Sequence, residues 1–288
     1  MRYRALMSEI AIATCLKYPG LTPSDQIFAD ALAARGANVV AAPWNGAFAP
    51  FDTADLTVVR STWDYFDVTN DFLAWIARFE EGRAVLNPPA VLRWSLTKDY
   101  LFELGENGAP VPPMRRIAPK PSDVGAAMTS MNLDVAIVKP LSGGTASGLS
   151  RVRAGDHDAI DAAASILNGD GMVMPFLPEI ETLGETSFVF LGGAFSHAVL
   201  KTPKEGDIRV QEDHGGVSRL IDAPDWAVKA AAQILTMCPS GGAYARVDAI
   251  VHDDRLTLME VELVEPELFF TLRPNAAAHL ATIVLGAA

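Results

Sequence analysis

The sequence predicts a mixed α/β protein: a small parallel strand–helix unit near its N-terminal end, then antiparallel hairpins. Three observations lead there. Short apolar strands at residues 10–14, 39–42 and 56–59, with a helical segment over residues 26–35 after the first, follow the order of a parallel α/β unit. Further on, the strand-like runs DVAIVK (134–139) and LSRVR (149–153) flank a glycine- and serine-rich loop. Finally, residues 242–270 read as two strands joined by a short polar turn and carry Asp248, Glu260 and Glu262.

After the strand at 10–14, Thr22-Pro23-Ser24-Asp25 can start a helix, Ile27, Phe28, Ala31 and Leu32 recur at helical spacing, and Gly36 stops it. The segments LKYPG, APWNG and RSTWDYF follow the three strands. In parallel sheets ligands bind beyond the carboxyl ends of strands, which makes Arg60, Ser61, Thr62, Trp63, Asp64 and Tyr65 candidate substrate contacts. The same residues would also serve if Trp63 and Tyr65 only covered a strand end. Residues 71–79 place Phe72, Trp75, Ile76 and Phe79 on one helical face, residues 84–86 form a short strand, and Asn87-Pro88-Pro89 marks a domain boundary. One helix containing Lys98 is expected over residues 91–104.

The strand 134–139 ends in Lys139. The loop after it, Pro140 to Gly148, can turn its backbone N–H groups toward phosphate oxygens. It lacks the GK[ST] of a Walker A loop and the GxGxxG of a dinucleotide fingerprint, and its serine is one place off the hydrolase elbow. An ordinary mobile hairpin loop would read the same way. A helix is expected over 158–167, strands over 172–174, 186–191 and 195–200, and a helix over 226–237. Lys201 ends the fourth of these elements. The polar stretch KEGDIRVQEDHGG, with Arg209, is long enough to be a functional loop.

In the acidic hairpin, Glu260 and Glu262 share a face because strand side chains alternate. Whether Asp248 joins them depends on register. A two-residue turn at Asp253-Asp254 sets Asp248 opposite Met259. A three-residue loop sets it opposite Glu260, with Leu256 and Leu258 on the carboxylate face and Met259 and Val261 on the other. A bulge would also bring Asp248 and Glu260 together, and that shared facing is the expectation. Clustered carboxylates repel unless a cation sits among them, and hard oxygen ligands suit magnesium. An edge hairpin with a solvated acidic face would carry the same residues.

Composition narrows the class. The 288 residues are 50% hydrophobic and 20% charged, with a net charge of −12, which fits a globular protein and argues against a general nucleic-acid or membrane-surface binder. Two cysteines, Cys15 and Cys238, without CxxC spacing point to a reducing cytoplasm. The start MRYRALMSEIAIATC mimics a secretory signal, but Glu9 interrupts it; it reads as a first strand, with Met7 an alternative start. The five histidines lie far apart, without ligand spacing.

Taken as an ordered set, these pieces resemble the ATP-grasp superfamily, and within it the glutathione-synthetase-like carboxylate–amine ligases of the D-cycloserine ligase group. The resemblance implies an ATP-grasp fold behind a Rossmann-like pre-ATP-grasp domain. Its domains would span residues 1–88, 89–172 with the lid, and 173–288 with the metal hairpin. LNPPAVLRWSLTK and AIVKP would supply the phosphate-side lysines Lys98 and Lys139. LSGGTASG, with Ser142, Gly143, Gly144 and Gly148, would be the lid, and MVMPFLPEI would hold adenine near Met174, Phe176 and Leu177. Glu185 would hold the ribose, and Arg209 would contact the transferred phosphate and the substrate. Asp248, Glu260 and Glu262 would hold magnesium, with Glu262 standing where the family pattern usually has asparagine.

The resemblance also implies ATP and Mg²⁺ as cofactors and small carboxylate and amine substrates, with Lys139 and Arg209 in catalysis. No nucleic-acid or membrane partner is expected, and a homo-oligomer (dimer or tetramer) is. A substrate would lie among Arg60, Ser61, Thr62, Asp64, Tyr65, Arg209, Glu265 and Glu267. Arg60 or Arg209 suits a carboxylate, and Glu265 or Glu267 an ammonium. The implied reaction is acyl-phosphate formation followed by amine attack, including ring closure of an aminooxy amino acid. The alternatives are a small-molecule kinase of the same superfamily and a nucleotide-binding regulatory module.

Overall fold

The computed structural model describes residues 8–288, so most of the signal-like start and Met7 lie outside the described residues. Strands β1 (Glu9–Thr14), β2 (Asn38–Pro43), β3 (Leu56–Val59) and β4 (Val85–Leu86) form a parallel sheet in the order β2-β1-β3-β4. Helices α1 (Pro23–Ala33), α2 (Ala49–Thr53) and α3 (Thr69–Ala77) cover it. The Thr22 hydroxyl caps α1 by accepting from the Asp25 N–H at 3.1 Å, and Pro23 occupies the first turn, where its missing N–H costs nothing. Phe48, Phe51, Phe72, Trp75 and Phe79 close one side of the sheet as an aromatic cluster.

The single helix expected over 91–104 is two, α4 (Pro89–Ser95) and α5 (Tyr100–Glu106). The chain breaks between them, where the Lys98 N–H donates to the Leu141 carbonyl at 2.8 Å. Lys98 therefore stands on a turn pinned to the start of the glycine-rich loop.

A second sheet, antiparallel in the order β5-β8-β6-β7, contains β5 (Arg115–Ile117), β6 (Val135–Pro140), β7 (Ser150–Arg153) and β8 (Gly171–Pro175). Helices α6 (Pro121–Ser130) and α7 (His157–Ser165) bury Val124, Met128, Ile160 and Ala163 against it. Neither β5 nor α6 was foreseen. β8 runs through the expected 172/173 boundary and completes this sheet.

The third sheet has five antiparallel strands in the order β11-β10-β9-β12-β13: β9 (Glu185–Leu191), β10 (Ala194–Thr202), β11 (Val217–Ile221), β12 (Tyr244–His252) and β13 (Arg255–Glu262). The short helix α8 (Glu179–Thr182) leads in, α9 (Asp225–Leu235) covers one face, and α10 (Pro274–Leu285) ends the chain. Alternation sorts the residues. Phe188, Phe190, Ala245, Val247 and Ala249 share a core with α9. Val189, Leu191, Val199 and Tyr244, on the other face, share one with α1, α10 and the first sheet. Further along that second face the residues turn charged: Glu185, Lys201, Arg246 and Asp248.

The β12–β13 turn has two residues, Asp253 and Asp254, both in the left-handed region (φ 47° and 56°), as a tight primed hairpin turn requires. Asp248 still pairs with Glu260, because the register shifts between Asp248 and Ala249, which pairs with Leu258. Met259 is the extra residue of a β-bulge. The shared facing of Asp248 and Glu260 is therefore reached through a bulge. Three of the other side chains assigned from the three-residue loop are corrected: Leu256 and Leu258 face the α9 core, and Met259 lies on the carboxylate side, whereas Val261 faces the α9 core as expected.

Candidate active site

The charged end of the third sheet floors a cavity of about 530 Å³, a usual size for a small-molecule site, walled by the second sheet and by loops of the N-terminal unit. Glu185 and Lys201 stand opposite each other in the β9–β10 ladder because a second bulge, at Ser196, shifts that register by one. Lys201 Nζ lies 2.5 Å from Glu185 Oε1 and 2.9 Å from Asp248 Oδ2. Ser187 Oγ donates to Asp248 Oδ1 at 2.6 Å, and Arg246, two residues before Asp248 on the same face, donates Nε and Nη2 to its two oxygens at 2.9 Å each. Arg246 also bonds Glu262 and donates to the Glu267 carbonyl at 3.1 Å. Lys98 Nζ lies 2.8 Å from Glu260 Oε1 and donates to the Gly143 carbonyl at 2.6 Å.

This pairing sets the charges. Burial would raise the Asp248 carboxyl, but Arg246 and Lys201 hold it well below the usual range. Burial would lower Lys98, but Glu260 more than offsets it and the pKa rises. Lys139 lines the cavity without an ion pair among the described residues; burial lowers its pKa, and the nearby Lys98 charge adds to this against Glu260. A cationic lysine there lacks a partner that phosphate oxygens would supply.

Glu260 and Glu262 offer hard carboxylate oxygens to the cavity, which fits magnesium, an ion usually held by one or two carboxylates and substrate phosphates. Asp248 fits less well, being 2% exposed with both oxygens engaged by Ser187, Lys201 and Arg246. Among the described residues no three such side chains gather around one point. The expected three-carboxylate sphere is thus not assembled, because the neighbouring cations occupy those oxygens. Burial pushes the Glu262 carboxyl up to about 7, with Arg246 opposing and Glu260 adding.

Met174, Phe176 and Leu177 line an apolar side of the cavity with Ile180, Ile208, Val210 and Met259. Gly143 and Gly144 line it as well. Ser142 Oγ instead meets Thr69 Oγ1 at 3.0 Å, and Gly148, in the left-handed region at φ 72°, closes the loop against Pro140 without reaching the cavity. The loop is fastened at two further points: His214 Nε2 lies 2.9 Å from the Thr145 carbonyl oxygen, and Gly144 sits on the Phe66 ring. Arg209 lines the cavity but is held by Asp207, with Nη2–Oδ2 at 2.7 Å.

The far end is formed by Tyr18, Ser24, Trp63, Tyr65, Glu265 and Glu267, with Thr22 and Pro23. Tyr65, Glu265 and Glu267 are therefore at the site as expected. Arg60, Ser61 and Thr62 are not: all three are fully buried and outside the cavity lining. Arg60 Nε pairs with Asp25 Oδ1 at 2.8 Å, its Nη2 donates to the Pro266 carbonyl at 2.7 Å, and its guanidinium lies over the Tyr244 ring. It cannot reach a substrate carboxylate. Asp64 is also turned away, accepting from Trp44 Nε1 at 2.5 Å. Burial is the main cause that pushes the Glu265 carboxyl up to about 8, and Glu262 adds to it against the Tyr65 hydroxyl.

Lys201, Arg246 and Ser187 were missed. Arg246 carried a signal, since i and i+2 in a strand share a face with Asp248. Lys201 carried less, because counting back from the Gly192-Gly193 turn without the bulge pairs Glu185 with Leu200.

Comparisons with known proteins agree with this architecture. Residues 10–87 match the family described as the N-terminal domain of D-cycloserine synthetase DcsG. The cycloserine biosynthesis protein DcsG of Streptomyces lavendulae is 27% identical over 254 residues, 83% of this chain and 85% of that protein. The crystal structure of D-cycloserine synthetase DcsG superposes with a TM-score of 0.84 at 23% identity, covering 97% of this chain and 99% of that one. D-alanine–D-alanine ligase from Bacillus anthracis gives 0.69 at 14% identity, covering 97% and 96%. An ATP-grasp RimK domain protein from Sphaerobacter thermophilus gives 0.68 at 18% identity, covering 97% and 100%. With its parallel N-terminal sheet, its hairpin loop over the cavity and its charged five-stranded floor, the chain shares the fold of these D-cycloserine synthetase, D-alanine–D-alanine ligase and ATP-grasp RimK-domain structures.

Proposed function

We propose that the chain is an ATP- and magnesium-dependent carboxylate–amine ligase acting on a small amino-acid-like acid. The carrying observation is the convergence of Lys98, Lys139, Lys201 and Arg246 with Glu260 and Glu262 on one cavity. That cavity runs from an apolar slot suited to a base to the loops of the N-terminal sheet. The likeness to proteins named for cycloserine synthesis supports ring closure of an aminooxy amino acid, D-2-amino-3-(aminooxy)propanoate, as the specific reaction. Residues 1–88 would then serve as the acceptor domain.

A carboxylate is a poor acyl donor because oxide is a poor leaving group. Its oxygen attacks the γ-phosphorus of ATP, the bond to the β-phosphate oxygen breaks, and ADP leaves. The amine nitrogen then attacks the acyl carbon, the C–N bond forms, and phosphate departs while the nitrogen's proton passes to it or to solvent. Lys98 and Lys139 orient the phosphates, and Arg246 lies where charge on the transferred group can be offset. The Ser142–Gly148 loop excludes water that would hydrolyse the acyl phosphate. Magnesium, held by Glu260 and Glu262, would neutralise phosphate charge.

Product analysis tests the reading. ADP and free phosphate in equal amounts with the aminooxy acid, and oxygen-18 passing from its carboxylate into phosphate, are the expected results. ADP without free phosphate would mean a kinase. No helix among the described residues is long and apolar enough to cross a membrane. The two cysteines, both unpaired, support a reducing cytoplasm. The exposed Val217 and Leu220 on edge strand β11 support self-association.

A further inference from the structure

The buried carboxylates of the cavity differ in one respect. Asp248, Glu185, Glu260 and Glu262 each have a lysine or arginine partner. Glu267 is engaged by the Ser24 hydroxyl and the Phe269 N–H, both at 2.6 Å. Glu265 is 7% exposed, lines the cavity, and has no cationic partner among the described residues. The Tyr65 hydroxyl acts on its carboxyl against the effect of burial, and the nearby like charges are Glu262 and Glu260, while Lys98 is committed to Glu260. Its backbone is fixed, since Trp63 Nε1 donates to the Glu265 carbonyl at 2.9 Å. Tyr18 packs edge-on to Trp63 with centroids 5.6 Å apart, so the same end of the cavity is rimmed by aromatic rings.

A buried carboxyl that the fold leaves without a counter-charge, among aromatic rings, is a host for a cation of matching size. It shares the cavity lining with Tyr18, Ser24, Trp63 and Tyr65 of the N-terminal unit. A second carboxylate or phosphate would be repelled there by Glu262 and Glu265 together. A primary ammonium would gain an ion pair, the Tyr65 oxygen as a further acceptor, and ring faces.

We propose that Glu265, with Tyr65 and Trp63, is the seat of the substrate's α-ammonium group and makes the enzyme select amino acids over acids that lack the amine. The proposal rests on the ligase reading above, and it names the residue that recognises the substrate's amine, which that reading leaves unassigned. The group does not react: it is held on the carbon that bears the carboxylate being activated and so orients that carboxylate, which makes Glu265 a specificity residue.

The test uses two ring compounds that differ only in the amine, D-cycloserine and isoxazolidin-3-one, titrated calorimetrically into the full chain with ADP and magnesium. The amine-bearing ring should bind at least tenfold more tightly. Glu265→Gln should bring the two within about twofold, and Glu265→Asp, which keeps the charge, should retain part of the preference; thermal melting confirms that both variants fold. Equal binding of the two rings to the unaltered protein overturns the seat, as does failure of D-cycloserine to bind at millimolar concentration or a preference that survives in Glu265→Gln. Selective binding without ATP-dependent turnover of D-2-amino-3-(aminooxy)propanoate would leave the seat standing and overturn the ring-closing reaction instead.

Discussion

Asp248 and Glu260 face each other across the β12–β13 ladder, although the two-residue turn alone would set Asp248 opposite Met259. The Met259 bulge accounts for the difference, and it delivers two consecutive side chains to the cavity, one apolar and one acidic.

Removing the acidic one separates chemistry from binding. Glu260→Gln should lower kcat by about a hundredfold or more, the usual cost of one electrostatic contact at a transferring phosphate, with a smaller change in nucleotide affinity. Single-turnover phosphate release alongside equilibrium ATP binding checks this. A Kd change as large as the kcat change would make Glu260 a ground-state contact.

Arg60 gives the opposite expectation. Its partners Asp25 and Pro266 lie inside the protein, so Arg60→Ala leaves a buried carboxylate unpaired and should cost about 3–5 kcal/mol of stability. Chemical denaturation reads the loss. An unchanged unfolding midpoint with a raised substrate KM would return Arg60 to the role expected from sequence.

Glu265 links stability to pH. Its carboxyl titrates near 4.5 when unfolded and near 8 when folded. Below the lower value both states are protonated. Between the two, only the folded state holds the proton, so stability falls as pH rises, and the loss is complete above the upper value. In the absence of ligands, Glu265→Gln should therefore be more stable than the unaltered protein at pH 8, by ~4 kcal/mol, with the gain vanishing near pH 4.5. Melting curves across that range decide it; a gain independent of pH would mean a packing effect.

The lid contact can be tested sterically. A β-carbon on Gly144 would fall 2.3 Å from the Phe66 ring. Gly144→Ala should slow turnover at least tenfold, and adding Phe66→Ala should restore part of it. Hydrogen exchange over 142–148 should slow on addition of ATP and magnesium. Equal protection with and without them would count against a closing loop.

The fold was legible where periodicity was strong. The three parallel strands, the hairpin at 134–153 and the acidic hairpin all fall close to their expected places. The helix over 91–104 misled because its apolar spacing continues across a break whose cause is the distant Leu141 carbonyl. At the site, the register of two ladders depends on single bulged residues, Ser196 and Met259, which leave no mark in alternation. That is why Lys201 went unnoticed and why the side assigned to Leu258 was wrong. Arg60 misled for another reason: a strand-end arginine suits a ligand as well as a loop carbonyl, and only the position of Pro266 decides.

The Arg60–Pro266 bond, with the Ser24–Glu267 bond beside it and α10 packed on α1, joins residues more than two hundred positions apart. The N-terminal unit is consequently not an exchangeable cassette. A chimaera that grafts residues 1–88 from a relative of different specificity would bring a foreign partner to the loop at 265–270. It would have to carry that loop, and the face of α10, along with it. Changes of substrate in proteins built this way are thereby tied to paired replacements at the two ends of the chain.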